Sequence, residues 1–268
     1  MKEQINLFLL ALMFLTRVPV GRWVRYSPTF LAQSTLYFPL VGLLVGAFGA
    51  LILWASARLL PVPQAVLLSM LATVLATGAF HEDGLADSAD GFGGASERTR
   101  ILEIMRDSRI GTFGALALWF ALTAKFLFIS ELASQSIQTA MLAMVVAHTA
   151  GRWSSLWLIR RLEYVRTESA TAKPFAGSVT PSRFWLATAI FGFATLLCFA
   201  ATGLFLLTTA IFVSYLAERF LHQRIGGITG DTLGAVNQVT EISLYFSLEA
   251  LMRLQTSLLN GTFLGAPH

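Results

Sequence analysis

Long apolar runs, separated by short polar segments, extend along most of the chain. Six of them reach the about 18 residues that suffice to cross the hydrocarbon core of a bilayer; they cover residues 36–60, 63–80, 110–132, 137–159, 184–220 and 233–252. The fifth run is too long for one crossing, and we expect it to fold back near Thr202 and Gly203 as two helices. The pattern predicts an all-α, polytopic integral membrane bundle with about 6–8 membrane helices.

The composition agrees with this class. Of 268 residues, 55% are hydrophobic and 13% charged, whereas soluble domains average about 45–50% apolar residues. No soluble insertion, repeat or low-complexity tract interrupts the pattern, so we interpret residues 1–268 as a single membrane domain. The first apolar stretch, residues 5–15, is short, and the sequence does not decide whether it crosses the bilayer or lies at its surface.

The positive charges are unevenly divided between the connecting segments. Arginine-rich segments at 17–25, 98–109, 160–183 and 219–224 alternate with turns at 130–138 and around Gly203 that contain no Lys or Arg. By the positive-inside rule the basic segments face the cytoplasm. The same rule accounts for the net charge of +4, so we expect contact with the lipid bilayer and not with nucleic acid.

An acidic segment lies on the predicted cytoplasmic side, directly after an apolar run. Within residues 78–94, GAFHEDGLADSADGFGG, Asp83, Asp87 and Asp90 stand at i, i+4 and i+7, which places them on one face of a helix. Three like charges on one face repel unless a cation neutralises them, and such oxygen ligands suit Mg²⁺ or Mn²⁺. The alternative is a solvated loop whose acids cap a membrane helix.

A second polar cluster falls on the same side. The glycine-rich turn at 226–234 contains Asp231 and leads into the last apolar run, which carries Asn237 and Glu241 at i and i+4. A carboxylate inside a membrane span is costly unless it is paired or faces a polar cavity, so Glu241 is a functional candidate. The alternatives are a helix cap for Asp231 and a structural hydrogen bond for Glu241.

Three arginines could bind phosphate. Arg106 and Arg109 stand three residues apart in a cytoplasmic segment, and Arg152 lies within a span near His148. A guanidinium group matches the geometry of phosphate oxygens, although each arginine could also be a topological anchor. Acids for a metal and arginines for phosphate on one face indicate transfer of a phosphate-linked group at the bilayer surface.

Several motifs in order resemble the cobalamin synthase family, the adenosylcobinamide-GDP ribazoletransferases. They are FLTRVP at 14–19, FPLVG at 38–42, FHEDGLADSADG at 80–91, the segment 103–111 and GDTLGA at 230–235. The resemblance implies a bacterial inner-membrane enzyme that depends on Mg²⁺. The oxygen ligands would also accept Mn²⁺ as a substitute, and the charge pattern places the active site on the cytoplasmic face. Its substrates would be adenosylcobinamide-GDP and α-ribazole or its 5′-phosphate, and it would release GMP in a late step of vitamin B12 assembly.

The resemblance also implies roles for individual residues. Asp83, Asp87 and Asp90 match the family's acidic motif and are the predicted metal ligands and catalytic carboxylates, with Asp231 completing the metal site and contributing to substrate binding. His81 is the predicted general base, and Glu241 joins it as a catalytic candidate. The diphosphate is assigned to Arg106, Arg109 and Arg152. Whether the chain forms a homo-oligomer or associates with other cobalamin assembly enzymes is left open.

Two other functions are weaker alternatives. A CDP-alcohol phosphotransferase shares the spacing of Asp87 and Asp90 before Gly91, but here Ser96 and not arginine follows Ala95, and no later segment supplies that family's closing pair of acids. A divalent-cation transporter would distribute acids over several spans, whereas this chain concentrates acids and arginines at one face.

Overall fold

The computed structural model describes residues 2–165 and 179–259, and within them it is helical, with no strand. The helices are α1 Lys2–Leu15, α2 Pro28–Ser34, α3 Phe38–Ser56, α4 Val62–Thr77, α5 Phe80–Gly94, α6 Arg98–Ile104, α7 Thr112–Gln135, α8 Ile137–Arg161, α9 Pro181–Ile225 and α10 Gly230–Leu259. Part of the third arginine-rich segment, 166–178, lies outside the described residues. The prediction of an all-α chain is confirmed for the described residues.

Three stretches of the described chain are long and apolar enough to cross a bilayer: Pro28–Ser56, Thr112–Gln135 and Pro181–Ile225. A fourth crossing is obtained if α4 and α5 are counted together, although they are bent by 87° at their junction. Helix α1 has 14 residues and is about 21 Å long, which is shorter than the about 30 Å of a hydrocarbon core. It packs against α2 and α3.

Helix α9 turns back on itself near its middle. Its regular geometry breaks at Ala200, where φ is 47°. The ring of Trp157 lies 6.2 Å from the ring of Phe184, while its Nε1 donates to Glu218 at 2.8 Å. Thirty-four residues of straight helix would separate Phe184 and Glu218 by about 51 Å, so one tryptophan could not reach both. The predicted reversal near Thr202 and Gly203 is therefore confirmed.

Helix α8 occupies the centre of the bundle. Most of its residues are buried, and it packs against α3, α7, α9 and α10. Glycines permit its closest contact: a Cβ atom added to Gly46 of α3 would lie 2.7 Å from the carbonyl oxygen of Met144 and 2.7 Å from Cα of Val145. The α3 and α8 backbones thus pack against each other without an intervening side chain.

We expect Gly46→Ala to lower the thermal midpoint, because the added methyl must displace the α8 backbone. Overpacking of this kind costs about 1–3 kcal/mol. Gly192→Ala in α9 is the matched control, since a Cβ atom there has no neighbour within 4 Å, and alanine should stabilise the helix by about 0.5–1 kcal/mol. Thermal unfolding of both variants in detergent measures the difference; a midpoint for Gly46→Ala at or above that of wild type would contradict the close packing.

Candidate functional site

The acidic segment forms helix α5, as the sequence spacing predicts. The chain enters it through two left-handed residues, Gly78 with φ 69° and Ala79 with φ 59°, which produce the sharp bend after α4. Within the helix, Asp83 is exposed, Asp87 is half-buried and Asp90 is buried. Positions four and seven residues apart lie on nearly the same side of a helix, so the prediction that the three carboxylates share a face, here named the acidic face, is confirmed.

Asp90 joins the acidic face to the next membrane helix. Its Oδ2 accepts a hydrogen bond from the backbone N–H of Gly111 at 2.7 Å, and its Oδ1 accepts one from Gly114 at 2.8 Å. These are two of the N–H groups that the start of α7 leaves without helical partners. A carboxylate is also favoured there by the helix dipole. Asp90 therefore fixes the C-terminal half of α5 to the N-terminus of α7.

The glycine-rich turn brings α10 against α5. A Cβ atom on Gly84 would lie 2.7 Å from the Asp231 carbonyl oxygen and 3.2 Å from the Cα of Gly234, so the two backbones touch at their crossing. Thr229 and Thr232 close the start of α10 with reciprocal side-chain to backbone bonds of 3.2 and 2.9 Å, the arrangement of a capping box. Asp231 is thereby placed beside the acidic helix.

Glu241 lies at the centre of a fully buried polar network. Its Oε2 accepts a hydrogen bond from Lys125 Nζ at 2.6 Å, and its Oε1 is bonded by Arg152 and lies 2.9 Å from His148 Nδ1. The residue itself has no exposed surface, and the Lys125 and Arg152 residues are 6% and 2% exposed. The predicted pairing of an intramembrane carboxylate is thus found, with one partner from α7 and two from α8.

Two branches of this network reach the first turn of α5. Arg152 Nη2 lies 3.4 Å from His81 Nδ1, and Gln238, which accepts from Lys125 at 2.7 Å, donates to Glu82 Oε1 at 3.2 Å. His81 is buried. At about 100° per residue it lies on nearly the opposite side of α5 from Asp83, so the structure places His81 in the buried network and not on the acidic face.

The loop between α6 and α7 carries the two other predicted phosphate ligands. Arg106 and Arg109 are exposed, and Arg109 makes bonds of 3.0 and 2.7 Å to the two carboxylate oxygens of Asp107. These bonds hold the pKa of Asp107 at about 2, so the pair stays ionised at neutral pH. Arg109 lines a charged cavity of about 560 Å³, which also includes Asp90, Arg100 and Glu103. Arg152, in contrast, is buried in the Glu241 network.

The acidic face can supply part of a magnesium site. Among residues 2–165 and 179–259, no three His, Cys, Asp or Glu side chains converge as a complete metal-binding group. Mg²⁺ is usually held by one or two carboxylates, with substrate phosphates and water completing the octahedron. Asp83 and Asp87 lie on the same face and supply two such carboxylates, and Asp90 accepts two backbone hydrogen bonds from the start of α7.

Sequence reasoning missed Lys125. It is a charged residue in the middle of the apolar stretch ALTAKFLFIS of α7, about 20 Å from the helix start. An ionisable side chain at such a depth marks a functional or pairing site. The position of Lys125 was visible in the sequence. Its partner Glu241, however, lies 116 residues away and could not be identified without the fold.

Comparison with known proteins places the chain among B12 assembly enzymes. The family model described as cobalamin-5-phosphate synthase matches residues 7–249. A protein of Shewanella amazonensis named adenosylcobinamide-GDP ribazoletransferase is 44% identical over 252 residues, covering 92% of this chain and 96% of its own length. A protein of Leptothrix cholodnii with the same name is 45% identical, covering 91% and 94%. No solved structure matches the chain significantly.

Proposed function

The chain belongs to the cobalamin-5-phosphate synthase family, and we propose that it transfers the adenosylcobinamide phosphate group of adenosylcobinamide-GDP to α-ribazole or its 5′-phosphate. GMP is released, and the product is adenosylcobalamin or its 5′-phosphate, the final assembly step of B12. The observation that carries this proposal is the identity of 44–45% over nearly the whole length of relatives with this name. The site geometry supports the chemistry.

The reaction exchanges one phosphorus–oxygen bond for another. The ribazole hydroxyl attacks the phosphorus that bears cobinamide, the bond from this phosphorus to the bridging oxygen breaks, and GMP leaves with that oxygen. The hydroxyl proton passes to a carboxylate of the acidic face or to solvent. Because His81 lies on the buried side of α5 beside Arg152, it is assigned a positioning role and not that of the base.

A divalent cation fits the acidic face. Asp83 and Asp87 would hold Mg²⁺, or Mn²⁺ as a substitute, and Asp231 lies close by. Asp90 binds the start of α7 and so holds α5 in place. When bound, the cation neutralises the charge that develops on the diphosphate oxygens. The protein's own contribution is to keep the carboxylates on one face of a short helix and to direct the substrate phosphates towards it.

The cavity between α5, α6 and the start of α7 suits the nucleotide half of the substrate. Its volume of about 560 Å³ falls within the about 300–1,000 Å³ of typical ligand pockets. Arg109 lines this cavity and Arg106 lies on the same exposed loop, and both are assigned to the diphosphate. Arg152 is buried beside Glu241, so it contributes through the network and not by direct contact with this cavity.

The bundle has seven membrane crossings in this proposal, namely α3, α4, α7, α8, the two halves of α9, and α10. Helices α8 and α10 have 25 and 30 residues, enough to span a bilayer, and neighbouring helices cover their polar residues. Hydrogen bonds join the predicted cytoplasmic ends of the helices. The backbone N–H of Arg17 donates to the Ala76 carbonyl, and the side chain of Arg224 donates to the carbonyls of Phe92 and Ala95. The acidic face then lies on the cytoplasmic side of a bacterial inner membrane.

Reporter fusions test this orientation. A reporter after Arg100, in α6, is expected to read as cytoplasmic, and one after Gln135, between α7 and α8, as external, because the two positions lie at opposite ends of α7. Paired reporters that are active on opposite sides of the membrane give the measurement. A cytoplasmic reading at Gln135 would overturn the orientation and the cytoplasmic active site with it.

The transferase activity is tested with purified protein in vesicles. Adenosylcobinamide-GDP and α-ribazole are supplied with Mg²⁺, and GMP and the corrinoid product are separated and quantified. We expect equal amounts of GMP and product, and no GMP without the ribazole acceptor. GMP formation that does not require ribazole would indicate hydrolysis and contradict the transferase assignment.

A further inference from the structure

Lys125 has an unusually complete set of buried partners for a residue in an apolar helix. Its Nζ lies 2.6 Å from Glu241 Oε2 and 2.7 Å from Gln238 Oε1, and the residue is 6% exposed. Buried ion pairs are rarely more stabilising than well-packed apolar side chains of the same size. Stability alone is therefore a weak reason for a lysine at this position. The further contacts of Glu241 and Gln238 indicate what else Lys125 does.

Both partners of Lys125 connect onward to the first turn of α5. Through Glu241, which also binds Arg152, one branch reaches His81. Through Gln238, the other branch reaches Glu82. His81 and Glu82 immediately precede Asp83, the first carboxylate of the acidic face. Two chains of polar contacts thus run from one lysine on α7 to two adjacent residues at the start of the acidic helix.

These polar contacts reach α5 close to where it begins and where it crosses α10. It follows two left-handed residues at an 87° bend, and it crosses α10 through Gly84 and Gly234 with backbone against backbone. Side chains that touch across a crossing help to fix how a helix is rotated about its axis, and the hydrogen bond from Gln238 to Glu82 is one such contact between α10 and α5. The other anchor of α5, Asp90, also ends on α7. The acidic helix is therefore bonded to α7 directly at Asp90 and indirectly at its first turn, through Arg152 of α8 and Gln238 of α10.

We propose that Lys125 is a positioning residue for the acidic face. From α7 it holds Glu241 and Gln238, which hold the first turn of α5 through Arg152–His81 and through Glu82. Lys125 then acts without contacting the substrate: it sets the orientation of α5 and with it the orientation of the Asp83 and Asp87 carboxylates. The predicted effect on turnover rests on the proposed function, whereas the predicted effect on α5 does not.

The test compares Lys125→Met and Lys125→Arg with Arg161→Met. Methionine has an unbranched side chain only one atom shorter than that of lysine but lacks the charge and the donors, while arginine retains both. Arg161 is the matched control, because it pairs with Glu218 at 3.5 Å and stacks on Trp157 at the end of α8, away from the network. For each purified variant the folded fraction, kcat and KM for adenosylcobinamide-GDP are measured.

Lys125→Met should lower kcat per folded molecule by about tenfold or more, about 1.4 kcal/mol of barrier, with KM changed less than threefold. Lys125→Arg should recover most of that loss, and Arg161→Met should keep wild-type kcat. A purely structural lysine would instead lower the folded fraction and leave kcat per folded molecule unchanged, which would overturn the proposal.

Hydrogen exchange supplies a readout that needs no activity. In Lys125→Met, peptide amides at 80–86 should exchange faster than in wild type, while those at 137–161 should be unaffected; Arg161→Met should leave 80–86 unchanged. Equal exchange at 80–86 in wild type and Lys125→Met would refute the positioning role. If the wild-type protein released no GMP, the proposed function would fail, and the exchange result would still decide the role of Lys125.

Discussion

Asp87→Asn is expected to reduce GMP release about a hundredfold, about 2.7 kcal/mol of barrier, while the protein accumulates normally in the membrane. Asp87 lies in the middle of the acidic face, half-buried between exposed Asp83 and buried Asp90. Asparagine keeps the size of the side chain but removes the charge that would help to hold a cation. The change therefore acts on the metal and phosphate chemistry more than on the fold.

The measurement is initial rate against Mg²⁺ concentration for wild type and variant in vesicles, repeated with Mn²⁺. A weakened ligand set should raise the Mg²⁺ requirement, and Mn²⁺ should restore part of the rate. Glu97→Gln is the matched control, since Glu97 is exposed and its side chain makes no cap hydrogen bond. Its rate should depend on Mg²⁺ concentration as that of wild type does. If Asp87→Asn showed the same dependence of rate on Mg²⁺ concentration as wild type, the metal site would be refuted and the acidic segment would be a solvated structural helix.

Local pattern was sufficient for much of the architecture. The i, i+4, i+7 spacing of the acids predicted their common face because helical periodicity is a property of the local chain. The reversal within the fifth apolar run followed from its length alone, since the 37 residues from position 184 to position 220 exceed one crossing. Both predictions depend only on residue spacing, which in a helix fixes the angle between two side chains and the length of a segment.

Contacts between distant segments could not be predicted in this way. Asp90 was predicted as a metal ligand and catalytic residue, but the structure also bonds it to the start of α7, more than twenty residues later. His81 stands two residues before Asp83, yet the helix turns it to the buried side. Lys125 meets Glu241 because α7 and α10 pack together, and no periodicity in either helix specifies that pairing.

The bend before α5 is a further feature that hydropathy does not reveal. The apolar run at 63–80 looks like one complete span, but the helix ends at Thr77 and the chain turns through Gly78 and Ala79. Glycine signals a left-handed residue, whereas alanine does not. The acidic helix consequently crosses α10 and is not a continuation of α4, and that placement brings Glu82 within reach of Gln238.

Glu241→Gln is expected to affect both stability and turnover. The carboxylate accepts from Lys125 and Arg152 with no exposure to solvent, so an amide leaves two buried cations without their counterion. Removing one partner of a buried ion pair costs about 3–5 kcal/mol, a large share of the about 5–15 kcal/mol that stabilises a typical protein. Because the same network reaches His81 and Glu82, activity per folded molecule should also fall, and more steeply than membrane accumulation.

Thermal midpoint, membrane accumulation and GMP release are measured together for Glu241→Gln and for Glu218→Gln. Glu218 is the matched control, a partly buried carboxylate bonded to Trp157 and Arg161, and its loss should lower stability modestly without changing kcat. The double variant Lys125→Met/Glu241→Gln should be more stable than Glu241→Gln alone, since it removes one of the two stranded cations. If accumulation and activity fell in parallel for Glu241→Gln, as a helix-packing role requires, Glu241 would be structural, and the network would have no part in setting the acidic face.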